Sequence, residues 1–350
     1  MASSAAAQSA DAVLDDMAGQ MILVGFAGDS VADTRALADM IGEGRLGGIM
    51  YLKPNVADLD TVKRMNAAFV AARPDLPPFI ALDQEGGSVE RLTKAVGFAE
   101  IPSAGEVARN TDALGAEAIY LRMARSLKSY GFNLNFGPVV DLALNPDNPV
   151  IAKYGRAFGA DPDDVVRYAE AFVGAHRQAG ILTALKHFPG HGSSAADSHE
   201  GFVDITGTLE AKELDPFRRM ISRGEADMVM VAHLYHAKFG VDPVSQQPAS
   251  LNPSWIEGTL RDQLGFDGVV ITDDLEMGAI RKRFTLEQSV LAAVRAGVDI
   301  LLFSNTADPR LGLADEVRGI LVAEAERDPA FRDRIVESHA RIVALKNGHL

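Results

Sequence analysis

The sequence predicts an α/β protein built as a single (β/α)8 barrel of the TIM type, with room for irregularity in its first strands. Three observations lead there. Short apolar runs alternate with longer amphipathic stretches along the chain. The runs are almost continuously hydrophobic, as parallel strands covered on both faces must be. Ionisable residues gather directly after those runs, where barrel loops carry chemistry. A doubly wound open sheet is the alternative for the same alternation.

The elements follow in order. Residues 1–12, MASSAAAQSADA, lack the basic start and apolar centre of an export signal and are expected to be a flexible leader. No linker-like tract or shift of composition divides the remainder, so 13–350 is expected to form one catalytic barrel domain. The spacing places strands at Met21–Phe26, Gly47–Leu52, Pro78–Asp83, Leu134–Asp141, Ile181–Phe188, Asp227–His233, Gly268–Asp273 and Asp299–Ser304. Helical periodicity marks Leu59–Ala72, Ala113–Ser129, Pro162–Gln178, Leu209–Arg223, Trp255–Leu264 and Leu286–Ala296. Asp161 before Pro162 and Asn252 before Pro253 are start signals, because a short polar side chain satisfies free amides and proline needs none. Gly180, Gly265 and Gly297 stop helices just ahead of the next strand. Pro329–Lys346 reads as a terminal helix closing the barrel.

Composition removes several function classes. The 350 residues hold 34 Lys plus Arg against 48 Asp plus Glu, a net charge of −14. Such a chain has little with which to neutralise phosphates, so no nucleic-acid partner is expected. No apolar run approaches the roughly 20 residues of a membrane span, so no membrane insertion is expected. With no cysteine there is no disulfide, thiolate metal site or cysteine nucleophile. A 47% hydrophobic content supports a sizeable core.

The chemistry concentrates in two places. Lys186 to Gly201, KHFPGHGSSAADSHEG, is a long polar connection after the fifth strand, and Pro189-Gly190 keeps it from being a regular helix. Within it Asp197 stands two residues before His199. A carboxylate there can bond one ring nitrogen and leave the other for a substrate. After the seventh strand, Asp273 and Asp274 cannot both point inward from an extended chain. One should face the pocket and the other turn into the loop. A pocket carboxylate opposite an acid/base suits glycoside hydrolysis through a covalent intermediate.

KHFPGHG followed by DSH, together with DQEGG…R and ITDDLEM, resembles the single-domain β-N-acetylglucosaminidases of glycoside hydrolase family 3, the NagZ-like group. The resemblance implies roles residue by residue. Asp273 matches the nucleophile, His199 the acid/base and Asp197 its partner. Asp83, Arg91, Arg156, Lys186 and His187 match sugar-binding positions. Ala157 stands where serine is usual after the arginine, and Ser193 where many members have aspartate; little effect on catalysis is expected from either. Relatives with a second domain draw their acid from it, whereas a chain filled by one barrel must supply it from the barrel, and His199 is the natural source. The implied enzyme is a retaining, exo-acting β-N-acetylglucosaminidase acting on muropeptides, GlcNAc joined β-1,4 to an anhydro-N-acetylmuramoyl peptide, in bacterial cell-wall recycling. It is expected to be a monomer needing no cofactor and no metal. The compartment is the cytoplasm by default, with the periplasm open because the leader is Ala/Ser-rich.

Rival readings are a β-glucosidase, a chitooligosaccharide-directed enzyme, a metal-dependent barrel hydrolase using His187, His191, His199, His233 and Asp273, and a barrel that binds sugar without catalysis. A neutral imidazole base also leaves phosphate open as an alternative acceptor. Other polar residues have plainer readings. Asp274 and His191 shape loops, Glu85 bonds loop amides around Gly86-Gly87, Asp141 anchors the NPDNP loop in preference to lining the pocket, and Trp255 is packing. His233 is a pocket group or a buried hydrogen-bonded one.

Overall fold

A computed structural model of the chain describes residues 12–239, 246–306 and 308–350. The expected leader therefore lies, except for Ala12, outside the described residues; Ala12 opens a helix over 12–20. Eight parallel strands follow: Ile22–Gly25, Gly48–Tyr51, Phe79–Leu82, Leu134–Asn135, Leu182–Phe188, Met228–Val231, Val269–Thr272 and Leu301–Phe303. Each pairs with its neighbour in chain order, and the eighth pairs back onto the first through Ile22↔Leu301 and Val24↔Phe303. A bridge between Ile271 and Ile300 brings the seventh strand to the eighth, so the ring is nearly closed. Every residue of these strands is buried, which is why they read as unbroken apolar runs rather than alternating ones.

The first strands are regular four-residue pieces, contrary to the expected irregularity. The departures lie further on. The predicted strand Leu134–Asp141 keeps a regular ladder only over Leu134–Asn135. Pro138 has no N–H to donate, and pairing resumes beyond it with Val140 N bonding Lys186 O at 2.8 Å. The fifth and sixth strands slip register between Leu185 and Phe188. That irregularity sits where Lys186 and His187 turn toward the barrel mouth.

The helices follow their start signals. Asp161 accepts from Asp163 N, Asn252 from Ser254 N and Asp58 from Thr61 N. The predicted helix Leu209–Arg223 is instead a 3₁₀ turn, Ala211–Leu214, leading into a helix over Asp215–Ser222. Pro216 explains the break, because it fits only the first turn of a helix. Ser254–Gln263 is wound as a π-helix. The terminal helix runs Pro329–His349 and brings buried Lys346 against Gln20 and Gly47, which precede the first and second strands. Trp255 is packing as expected, buried and stacked on Phe239 at 4.0 Å.

Candidate active site

The residues matched above to catalytic and sugar-binding positions face one cavity of about 470 Å³ at the C-terminal ends of the strands: Asp83, Arg91, Arg156, Lys186, His187, Asp197, His199 and Asp273. The strands place them there directly. Asp83 follows Leu82, Lys186 and His187 end the fifth strand, and Asp273 follows Thr272.

The DQEGG…R segment is organised by the residue between its two acids. Gln84 is fully buried; its Nε2 donates to Leu92 O, and its Oε1 accepts from the Arg91 and Leu92 amides at 2.9 and 3.0 Å. This staple folds the loop back, so that Arg91 Nη2 returns to Asp83 Oδ2 at 2.8 Å. Along an extended chain the neighbours of Gln84 point to its opposite side. Asp83 Oδ1 accepts from Lys186 Nζ at 2.7 Å, and Glu85 Oε1 lies 2.6 Å from the same ammonium.

Glu85 departs from expectation. Its carboxylate does not bond loop amides around Gly86-Gly87; it takes a two-pronged bond from Arg156, Nε to Oε2 at 2.8 Å and Nη2 to Oε1 at 2.7 Å. Burial by itself raises the carboxyl, but Arg156 and Lys186 outweigh it and bring it down to about 2. Asp83 is held well below the usual carboxylate range, burial being overcome by Lys186 and Arg91. Arg156 rises above its ordinary value because Glu85 outweighs its desolvation. Five side chains thus form one largely buried ionic lattice with a net charge of +1.

Asp141 is a second correction. It does not anchor the NPDNP loop. Its Oδ2 lies 2.6 Å from His187 Nδ1, and its Oδ1 accepts from the backbone of His187 and of His191. The loop is anchored by its own Asn148. That side chain accepts from the Val150 and Ile151 amides and donates to the carbonyls of His191 and Ser194. On His187 the other nitrogen, Nε2, lies 3.2 Å from Arg156 Nη2. A guanidinium only donates, so Nε2 accepts and the proton sits on Nδ1, facing Asp141.

Asp273 is half-buried and lines the same cavity as His199. Burial raises its carboxyl, but the imidazoles of His187, His233 and His199 and the Asp274 amide outweigh it and hold it below the ordinary aspartate value. Asp274 turns into the loop, as one of the two acids had to, and accepts from the Glu276 and Ser304 amides. His233 is a buried hydrogen-bonded group, between Ser250 Oγ at 2.7 Å and Asp274 O at 2.8 Å; it braces the turn that carries both acids.

The Lys186–Gly201 loop closes the site. Gly192 packs on the strand-four extension, where a Cβ would stand 1.7 Å from Leu142 O. His191 is buried between Ser194 Oγ and Ser198 Oγ, and burial pushes it down to about 4, so it shapes the loop as a neutral group. Asp197 Oδ1 accepts from the His199 amide at 2.8 Å and lies 2.7 Å from its Nδ1. The His199 side chain is 63% exposed, with Nε2 left for a substrate. Among the described residues no group of three or more His, Asp or Glu side chains is arranged to hold a metal ion.

The Glycosyl hydrolase family 3 N terminal domain matches residues 13–336. A beta-hexosaminidase of Xylella fastidiosa is 36% identical over 292 residues, 81% of this chain and 82% of the relative. Beta-hexosaminidase A of Pseudoalteromonas piscicida is 31% identical over 328 residues, and there the chain spans only 54% of the relative's length. Among solved structures, a glycoside hydrolase family 3 beta-N-acetylglucosaminidase from Paenibacillus superposes with a TM-score of 0.85 at 33% identity, covering 95% of this chain and 62% of that one. A beta-N-acetylhexosaminidase from Beutenbergia cavernae gives 0.83 at 29% identity, covering 95% and 98%.

Proposed function

This chain belongs to glycoside hydrolase family 3, and from that premise we propose that it is a retaining, exo-acting β-N-acetylglucosaminidase whose catalytic unit is the single barrel of residues 13–350. One observation carries the reading. An ionised, half-buried Asp273 and an imidazole with a free nitrogen, His199, line the same cavity, beside the lattice of Asp83, Arg91, Glu85, Lys186 and Arg156.

The lattice and His187 bind the hydroxyls of the terminal sugar. Asp273 attacks the anomeric carbon while His199 Nε2–H gives its proton to the departing glycosidic oxygen. The C–O bond to the aglycone breaks, an ester to Asp273 forms, and Asp197 keeps the now neutral imidazole in the tautomer with its remaining proton on Nδ1. Neutral His199 then takes a proton from water as that water attacks the anomeric carbon; the bond from that carbon to Asp273 breaks, the carboxylate is restored, and the sugar leaves with its configuration retained. A half-buried nucleophile and a more exposed proton donor suit the two tasks, since the aglycone and the water must both arrive from outside. The hexosaminidase names of the relatives support an N-acetylhexosaminide in the closed end of the cavity. The aglycone we assign, by the same resemblance, to anhydro-muramoyl peptides released from peptidoglycan.

The test is release of 4-nitrophenol from the β-N-acetylglucosaminide, glucoside, xyloside and N-acetylgalactosaminide, with the product anomer followed by NMR. Selective cleavage of the first with a β product first formed is expected. Preference for the glucoside, or an α product, overturns the substrate or the mechanism respectively. Release of GlcNAc from a purified muropeptide tests the aglycone.

A further inference from the structure

The loop bearing Asp197 and His199 does not hang free over the cavity. It is seated on the segment that follows the nucleophile. Gly278 N donates to His199 O at 3.0 Å, Ala279 N to Ser198 O at 3.1 Å, and Lys282 Nζ reaches Glu200 O. The approach is backbone against backbone. A Cβ on Gly278 would lie 2.6 Å from His199 O and 2.7 Å from Glu200 O, distances that real side chains do not tolerate. On its other side the loop is pinned by Ser198, whose buried Oγ lies 3.2 Å from His191 Nε2. Ser198 therefore points into the protein while its neighbours on either side, Asp197 and His199, line the cavity.

We propose that Gly278 is a positioning residue: by its lack of a side chain it lets the acid/base loop latch onto the nucleophile's own segment, which sets His199 relative to Asp273. The two catalytic groups come from connections far apart in the chain. A shared backbone clamp fixes their separation without relying on the barrel as a whole. The latch rests on the reading of His199 as the acid, and it is open to separate test. A displaced acid harms only substrates whose leaving group needs a proton. A misplaced nucleophile harms all of them.

Gly278→Ala is compared with wild type on the GlcNAc β-1,4 dimer, whose departing sugar would be a poor alkoxide unless protonated, and on the 2,4-dinitrophenyl β-N-acetylglucosaminide, whose leaving group needs no proton. The expected loss in kcat/KM is about 10- to 100-fold on the dimer, the scale of a displacement of about 1 Å, and under about threefold on the aryl glycoside. Ser198→Ala, which deletes one oxygen and adds no bulk, should show the same selectivity in weaker form and serves if the first variant does not fold. His199→Ala is measured beside them, and Gly278→Ala should add nothing to it. Equal losses on both substrates, or none on either, overturn the latch while a selective loss in His199→Ala keeps the acid. No selectivity in His199→Ala overturns both.

Discussion

Asp273 is a carboxylate kept ionised where burial alone would favour its protonated form. Its surroundings are paired imidazoles and a backbone amide, not a neutralising salt bridge, so its charge stays available for attack. Asp273→Asn is expected to cut turnover by about 10³-fold or more, with the melting temperature unchanged or raised, because a neutral amide is easier to bury. Substantial residual activity in steady-state assays would remove the nucleophile assignment. Single residues were the most legible part of the site, since an acid or base directly after an apolar run stands out. Glu85 shows the limit. It is two residues from Asp83 and so on the same side of an extended chain, and that spacing was the available signal. Two adjacent glycines suggested a turn instead, and its partner Arg156 is too remote in sequence for spacing to reveal.

At the scale of elements, the connections after the third, fourth and fifth strands act as one unit. Gln84 folds the first back on itself, and Asn148 ties the second to the third through His191 O and Ser194 O. Asn148 is fully buried with both ends of its amide in use. Asn148→Ala leaves several buried polar groups unsatisfied and should cost about 2–4 kcal/mol in denaturant unfolding. A loss under about 0.5 kcal/mol would mean that the loops stand independently. Strands and capped helices were readable because their causes are local: apolar runs, Asp161 before a proline, Gly180 after a helix. Loop-to-loop ties were not, and the NPDNP loop was accordingly assigned the wrong anchor.

Across the whole molecule, buried charge is sorted by end. The mouth holds the lattice of Asp83, Arg91, Glu85, Lys186 and Arg156. The opposite end holds structural ions such as Asp299, bonded to Arg261, Arg334 and Arg341. There too lies Lys346, on the terminal helix, over the Phe79 ring and with no carboxylate bonded to it among the described residues. Burial pushes its ammonium down from 10.5 to about 7. Between those two values the unfolded chain carries a proton that the folded chain lacks, so this group makes stability rise with pH from about 7 to 10.5; below 7 its full cost is present. Lys346→Met removes that cost but orphans Gln20 Oε1 and Gly47 O. The melting temperature of the variant relative to wild type should therefore be higher at pH 6 than at pH 9.5. A difference independent of pH would show that the lysine is not strained by burial. Among the described residues no helix is long and apolar enough to cross a membrane.

The sequence by itself determined the eight strands, the end of the barrel at which chemistry gathers, and the Asp197–His199 dyad. These depend on composition and on separations of a few residues, which the chain states directly. The tertiary structure alone decided that Glu85 belongs to Arg156 and Lys186, that Asp141 orients His187, that Gly278 packs against the backbone of the loop bearing Asp197 and His199, and that Lys346 is buried under the barrel. Each of these joins residues on different connections, and their meeting is set by strand order, register and loop docking. Those are properties of the packed chain as a whole, in which a local pattern has no say.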